Sequence, residues 1–341
     1  MGLFSFLNKE IAIDLGTANT VILHNDQVVV DEPSIVAVDK KSGEVIAVGT
    51  KAQLMHEKTH ANIVTIRPLR DGVIADFTAA EAMIRGFISM INDGSRWFKP
   101  SLTMVICIPS GTTEVEKRAV IESAEHANAR ERYLIHEPMA AALGIGLDVE
   151  IPEGHMIIDI GGGTTDIAVI ALSGIVTDQS IRVAGDDFNM DIIEYIKRQH
   201  NILIGERTAE QVKMNVGSAL QDLDDGGPED FPVHGRDLLT GIPKQIMVSY
   251  SEIAGALDKS ISKLEEAIMK ALESTPPELA SDIYRKGLYL TGGGALLRGL
   301  DKRIAVKTKL PVKVADDPLR AVARGTAIAL KNRHRFTFLM S

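Results

Sequence analysis

One cysteine stands in a chain of 341 residues, so no internal disulfide can form. Cys107 lies in the apolar run Met104 to Ile108 and reads as a small buried hydrophobe rather than a catalytic thiol, which suits a reducing cytoplasm. Nowhere does the chain approach the roughly 20 consecutive apolar residues of a membrane span. The first ten residues also lack the apolar centre and cleavage site of a signal peptide. Runs of lysine and arginine are missing too, and the net charge is −9, which argues against nucleic acid as a partner. Neither GxxxxGK(S/T) nor GxGxxG occurs, so P-loop and Rossmann readings lose their fingerprints. What remains is an ordinary globular composition at a length beyond the reach of one hydrophobic core. Two domains are expected.

The stretch from Met156 to Ile170 carries the strongest signal. Two β-branched apolar runs flank Gly161-Gly162-Gly163, which predicts a strand, a tight turn and a second strand. Glycines in such a turn let backbone N–H groups converge on an anion, so the turn can cradle phosphate. Asp159 ends the first strand, where a carboxylate suits Mg²⁺ held through water. Thr164 and Thr165 add hydroxyls to the rim. Residues Ile11 to Leu23 repeat the pattern without gaps, placing Asp14 on Asp159, Gly16 on Gly161 and Thr20 on Thr165, which implies duplicated halves facing each other. A third cluster, Gly292-Gly293-Gly294, follows the strand-like Leu288 to Thr291 and leads into a helix-like run from Ala295 to Leu300, where close backbone approach suits a nucleoside. Taken singly, each of these is equally readable as a Gly-rich turn.

Taken together, in this order and spacing, they resemble the two phosphate motifs and the adenosine motif of the actin, sugar-kinase and heat-shock-chaperone ATPase superfamily. The wording of Asp14 to Thr20, Arg67 to Asp76, Glu137 to Ala142 and Leu290 to Arg298 is most similar to the MreB family of bacterial actins, from about Ile11 to Leu330. That resemblance implies an α/β, actin-like ATPase fold. Two similar domains, each with a mixed five-stranded sheet, flanking helices and a smaller subdomain, would enclose a nucleotide cleft. Residues 1–32, 67–145 and 316–341 would form the core of the first domain and 33–66 its small subdomain. Residues 146–181 and 243–315 would form the core of the second, with 182–242 as its small subdomain. ATP or ADP would lie against Thr17, Ala18, Asn19, Gly161, Gly162, Gly163, Thr164, Gly292, Gly293, Gly294 and Ala295, with Glu210 and Lys213 on the ribose or adenine. Asp14 and Asp159 would hold Mg²⁺. Glu137 would orient the attacking water and accept its proton, with Thr164 as a second catalytic residue. His136 stands where many relatives carry an acid.

Other segments carry open alternatives. Leu3, Phe4, Phe6 and Leu7 fall near one side of a short N-terminal helix, which suits either a bilayer surface or a tail packed on the core. Trp97 and Phe98 stand between Arg96 and Lys99 in a turn-rich loop, a composition that fits a membrane interface or an aromatic pair tucked beneath the loop. His56 and His60 are four apart in a segment, Gly49 to Asn62, expected to be helical, but they lack a third ligand, so a solvated face is the better reading. Capping boxes are predicted at Thr78, Thr113, Thr208 and Ser249, each with Glu or Gln three residues on. Val115, Ala119 and Ser123 make a small-residue face that suits either a filament contact or burial. Ala140 and Gly144, and again Ala321, Gly325 and Ala329, make small-residue faces for two closely crossing helices, an interdomain hinge.

The site argument leaves several users of such a cleft. A sugar kinase needs an acceptor-binding base that the spacing does not pick out, and a chaperone needs a peptide-binding domain where only about a dozen residues follow Leu330. The expectation is a slow ATPase that assembles with itself, and the resemblance implies antiparallel paired protofilaments. By resemblance it would lie on the inner face of the cytoplasmic membrane beside cell-elongation membrane proteins and organise wall synthesis and rod shape. A non-polymerising ATPase switch and a small-molecule kinase are the alternatives.

Overall fold

The structure is a computed structural model and describes residues 8–56, 58, 60–91, 101–224 and 226–341. Alternation along β1 (Asn8–Leu15) puts Ile11 and Ile13 on one face and Ala12 on the other, and all three are buried, so the strand is covered on both sides. It pairs antiparallel with β2 (Asn19–His24), which turns back as β3 (Gln27–Pro33). Its other edge runs parallel to β4 (Ser101–Ile108), which is parallel to β5 (Ala129–His136). Helices α1 (Phe77–Ile91) and α2 (Glu114–His126) cover one face through Met83, Phe87 and Val120, and α3 (Glu137–Gly144) covers the other.

The second half follows the same path. Strands β6 (His155–Ile160), β7 (Thr165–Ala171) and β8 (Gly174–Ile181) form an antiparallel meander, and β6 runs parallel to β9 (Leu288–Thr291), which is parallel to β10 (Val312–Val314). Both sheets are five-stranded with one strand order, third, second, first, fourth, fifth. Phe188, Ile192 and Ile196 of α4 (Gly185–His200), Val212 of α5 (Glu206–Val216), Ile261 and Leu264 of α6 (Tyr250–Glu273) and Ile304 of α7 (Leu300–Thr308) bury the outer side of this sheet. The regular spacing along α6 predicted this face.

Between the sheets lie α3 and α8 (Ala321–Lys331), sharing one apolar cluster with Ala12 and Val105 of the first sheet and Ile157 and Ala168 of the second. The helices cross so closely that a Cβ on Gly144 would sit 1.8 Å from the Ala321 carbonyl oxygen, and one on Gly325 would sit 1.6 Å from that of Ala140. Glycine is therefore obligatory at both places. The expected small-residue crossing is present.

Each half carries a small sheet on its open side, one from Val36–Asp39, Val45–Val48 and Ile63–Ile66 and the other from Ile202–Leu203, Phe231–Asp237 and Pro243–Val248. The helix expected over Gly49 to Asn62 is only Thr50–Met55, and the Nδ1 of His56 bonds the Thr65 hydroxyl at 2.7 Å. Among the described residues no three His, Cys, Asp or Glu side chains are grouped to hold a metal, and no helix is long and apolar enough to cross a membrane.

Two capping boxes form as predicted, Thr113 with Glu116 and Ser249 with Glu252. Two do not. Helix α1 starts at Phe77, and the Asp76 carboxylate, ahead of Thr78, accepts the Ala79 N–H at 2.9 Å. Helix α5 starts at Glu206 without a side-chain cap, leaving Thr208 inside its first turn. The predicted small-residue face on α2 also divides, since Val115 is 77 % exposed and Ser123 is fully buried.

Candidate functional site

The turns of the two aligned hairpins meet. Each begins where an apolar strand ends in Asp-x-Gly, so the duplicated sheets present equivalent turns toward one cleft. A Cβ on Gly162 would lie 2.7 Å from the Ala18 side chain, and one on Gly163 would lie 2.7 Å from the Thr17 hydroxyl. Only residues without side chains let the two backbones come this near. A third turn wedges between them: Asp71 and Gly72 both have positive φ, the geometry of a tight hairpin turn, and the Gly72 N–H donates to the Thr17 hydroxyl at 3.0 Å. The sequence reading passed over this Asp-Gly turn, although the dipeptide is a recognised hairpin signal.

The two threonines aligned by the repeat serve the scaffold. Thr20 bonds Ser34, which donates to the Gly16 carbonyl at 2.6 Å, and Thr165 donates to the Val183 carbonyl at 2.7 Å. Thr165 therefore does not offer its hydroxyl to the rim, as the sequence suggested. The second turn is stitched to the start of α4 by the N–H groups of Gly185 and Asp186, which donate to the carbonyls of Gly161 and Gly162 at 3.1 and 2.8 Å. Lys213 on α5 donates to the Gly185 carbonyl at 2.9 Å and to Glu210 at 2.8 Å, so this pair braces the turn as well as each other.

Four carboxylates gather behind the turns. Burial pushes Asp14 up to about 6, against a bond from the Cys107 thiol. Asp159 rises to about 7, chiefly through burial, although the Thr291 hydroxyl donates to it at 2.6 Å. Glu137, only 8 % exposed at the start of α3, is held well above the usual carboxylate range by burial and then by Asp166, Asp159 and Asp14. Asp166 is raised by burial. Buried oxygen donors to which no lysine or arginine bonds among the described residues suit a hard divalent cation that keeps part of its water shell, and Asp14 and Asp159 fit that group.

His136 does not join this group. Its ring lines a cavity of about 220 Å³ with Ser110, Met139, Ile175, Asp178 and Phe338, and burial lowers its proton affinity. The Gly292 to Gly294 cluster has reasons of its own. A Cβ on Gly292 would lie 2.3 Å from the Ile160 carbonyl oxygen and one on Gly294 would lie 2.2 Å from the Ile160 side chain, so β9 and β6 pack through them. Gly293 is exposed and Ala295 buried, and the segment is a 3₁₀ turn, Gly293–Leu296, rather than the start of α7. The predicted membrane residues Leu3, Phe4, Phe6, Leu7, Trp97 and Phe98 lie outside the described residues.

Across the mouth of the cleft, Arg67 of the first half pairs with Glu206 at 2.9 Å and reaches Asp186 at 3.6 Å, while His56 lies 3.7 Å from Glu206. Nothing in the local sequence announced this bridge.

A family model of MreB/Mbl proteins matches residues 8–337. The chain is 47 % identical over 325 residues to the cell shape-determining protein Mbl of Bacillus subtilis, covering 95 % of this chain and 96 % of that one. It is 47 % identical over 337 residues to the cell shape-determining protein MreB of Escherichia coli K12, covering 97 % and 94 %. Among solved structures, MreB 5 of Spiroplasma citri bound to AMPPNP superimposes with a TM-score of 0.90 at 40 % identity, over 96 % of this chain and 97 % of that one. A MamK double helical filament shares the fold, with a TM-score of 0.79 at 21 % identity. The architecture is actin-like, and with relatives this similar along nearly its whole length the chain belongs to the MreB/Mbl family.

Proposed function

We propose that this chain binds and slowly hydrolyses ATP in the cleft between two domains and assembles into membrane-associated filaments that organise wall synthesis and rod shape. The observation that carries this reading is the meeting of the two hairpin turns, Gly16 to Asn19 and Gly161 to Thr164, in front of four raised carboxylates. We propose the domain bounds expected from the sequence, with α3 and α8 as the hinge. The S. citri relative was solved with AMPPNP and with ADP, which supports a nucleotide as ligand.

In this reading the N–H groups of Thr17, Ala18, Asn19 and Gly161 to Thr164 receive the phosphates. Gly292 to Ala295 face the nucleoside, with Glu210 and Lys213 at its sugar or base. Magnesium, held through water by Asp14 and Asp159, would neutralise phosphate charge. Glu137 takes the proton of the water that attacks the γ-phosphate, a role worth about 10²- to 10⁴-fold in rate. The Thr164 hydroxyl lies beside this chamber.

Membrane attachment falls to the apolar N-terminal residues and to Trp97 and Phe98. Each buried Leu or Phe contributes roughly 1.5–3 kcal/mol before ordering costs, so one subunit holds a bilayer weakly. Linking subunits multiplies affinity by about 10²- to 10⁴-fold. Sedimentation with and without ATP, then with anionic liposomes, tests the reading: ATP-dependent pelleting and co-sedimentation are expected. Soluble monomers throughout would overturn the filament, and turnover that rises steeply with an added small-molecule acceptor would point to a kinase.

A further inference from the structure

Of the four buried carboxylates behind the turns, Asp166 is the one given no part in holding metal, nucleotide or water. It is fully buried on β7, in a row with Ile167, Ala168, Val169 and Ile170, where a carboxylate is out of place. Its Oδ1 accepts two hydrogen bonds from Ser110, from the N–H at 2.9 Å and from the hydroxyl at 2.8 Å. Its Oδ2 is buried without a well-aligned hydrogen bond, and the hydroxyls of Ser180 and Thr164 lie beside the carboxylate. Asp166 stands directly opposite Asp159 in the β6–β7 pairing, so both carboxylates rise from the same side of the sheet.

Ser110 belongs to the other half of the molecule. It lies in the turn between β4 and α2, which ends at the Thr113 cap. That turn is packed from three sides. The Pro109 carbonyl accepts the Thr112 hydroxyl at 2.8 Å and also holds the His136 ring, immediately before Glu137. The place of a Cβ on Gly111 is 3.0 Å from Ser180 of the second sheet, and Pro109 closes on Gly72 of the wedged turn. The Asp166–Ser110 bonds thus join the two halves directly behind Glu137, on the hinge side of the hairpin turns.

We propose that Asp166 is a positioning residue for hydrolysis: through Ser110 it fixes the turn that seats Glu137 against the Thr164 hairpin. The inference rests on the ATPase reading above. A displacement of about 1 Å at a reacting centre can cost up to about 10²-fold in rate without weakening binding. The role is therefore visible in kcat and not in KM.

Steady-state ATP hydrolysis by the full chain tests this. Asp166→Asn replaces the carboxylate acceptor of the Ser110 bonds by a weaker, neutral one; Ser110→Ala removes the hydroxyl, and Ser110→Thr restores one. Both of the first two are expected to lower kcat about 10- to 100-fold with KM for ATP within about twofold of wild type, and Ser110→Thr to recover most of the rate. Wild-type kcat in Asp166→Asn and Ser110→Ala, a loss confined to KM, or no recovery in Ser110→Thr would overturn the proposal. Glu137→Gln, assayed alongside, separates this from the parent reading. Turnover abolished there but untouched in Asp166→Asn sinks only the positioning role, whereas a wild-type chain with no turnover sinks both.

Discussion

At the scale of single residues, the site is defined by carboxylates that fold against their own electrostatic preference. Asp159 shows the sign. Its carboxyl rises from 3.8 to about 7 on folding, so between those values the folded chain keeps a proton that the unfolded chain has lost. Stability from this group is full below about 4 and is lost as pH rises through 7. Nucleotide-free Asp159→Asn should therefore melt a few degrees above wild type at pH 8 and close to it at pH 4, by thermal unfolding; a lower melting point at pH 8 would contradict the argument. Glu137→Gln keeps size and removes the base, so hydrolysis should fall by about 10²-fold or more while nucleotide affinity, read by fluorescence titration, stays near wild type. Asp14 and Asp159 were legible because each sits at the end of an apolar run beside a turn signal, and Glu137 only through the resemblance of Glu137 to Ala142 to the family. Asp166 was not, although a lone acid inside an apolar strand, opposite Val21 in the aligned repeat, was a signal that periodicity alone could not interpret.

At the scale of elements, local rules decided some boundaries and tertiary contacts decided others. Thr113 and Ser249 cap their helices because nothing better precedes them, whereas Asp76 lies ahead of Thr78 and takes the cap first. A four-residue pattern cannot see that competitor unless the whole entry to the helix is weighed. The α3–α8 crossing was readable as small residues every four positions, yet its closeness appears only in space. Gly325→Ala would force a methyl within 1.6 Å of the Ala140 carbonyl oxygen. It should destabilise the protein by about 3 kcal/mol, measured by chemical denaturation, against at most about 2 kcal/mol for Thr113→Ala, which loses only a cap. Equal effects would mean that the crossing relaxes freely.

At the scale of the whole molecule, two sheets are joined at a glycine-lined hinge and bridged again across the opposite opening. The bridge is built from Arg67, Glu206, Asp186 and His56, all part-exposed, so it is screened by salt and weak as a source of stability. Its place at the mouth matters more. Arg67→Ala should speed release of a fluorescent ATP analogue several-fold in stopped flow, with a smaller difference from wild type at high salt. An unchanged release rate would show that the opening is not limiting.

The sequence by itself determined the duplicated hairpins, the apolar faces of the helices and the family, because those depend on residue type at short spacing, where backbone geometry and burial periodicity act locally. Tertiary structure alone decided that the two glycine turns touch, that an Asp-Gly turn wedges between them, that Asp166 reaches Ser110 and that Arg67 meets Glu206. Those partners lie from 55 to 146 positions apart, and only packing two sheets about shared helices brings them within the few ångströms over which hydrogen bonds, ion pairs and close contacts operate.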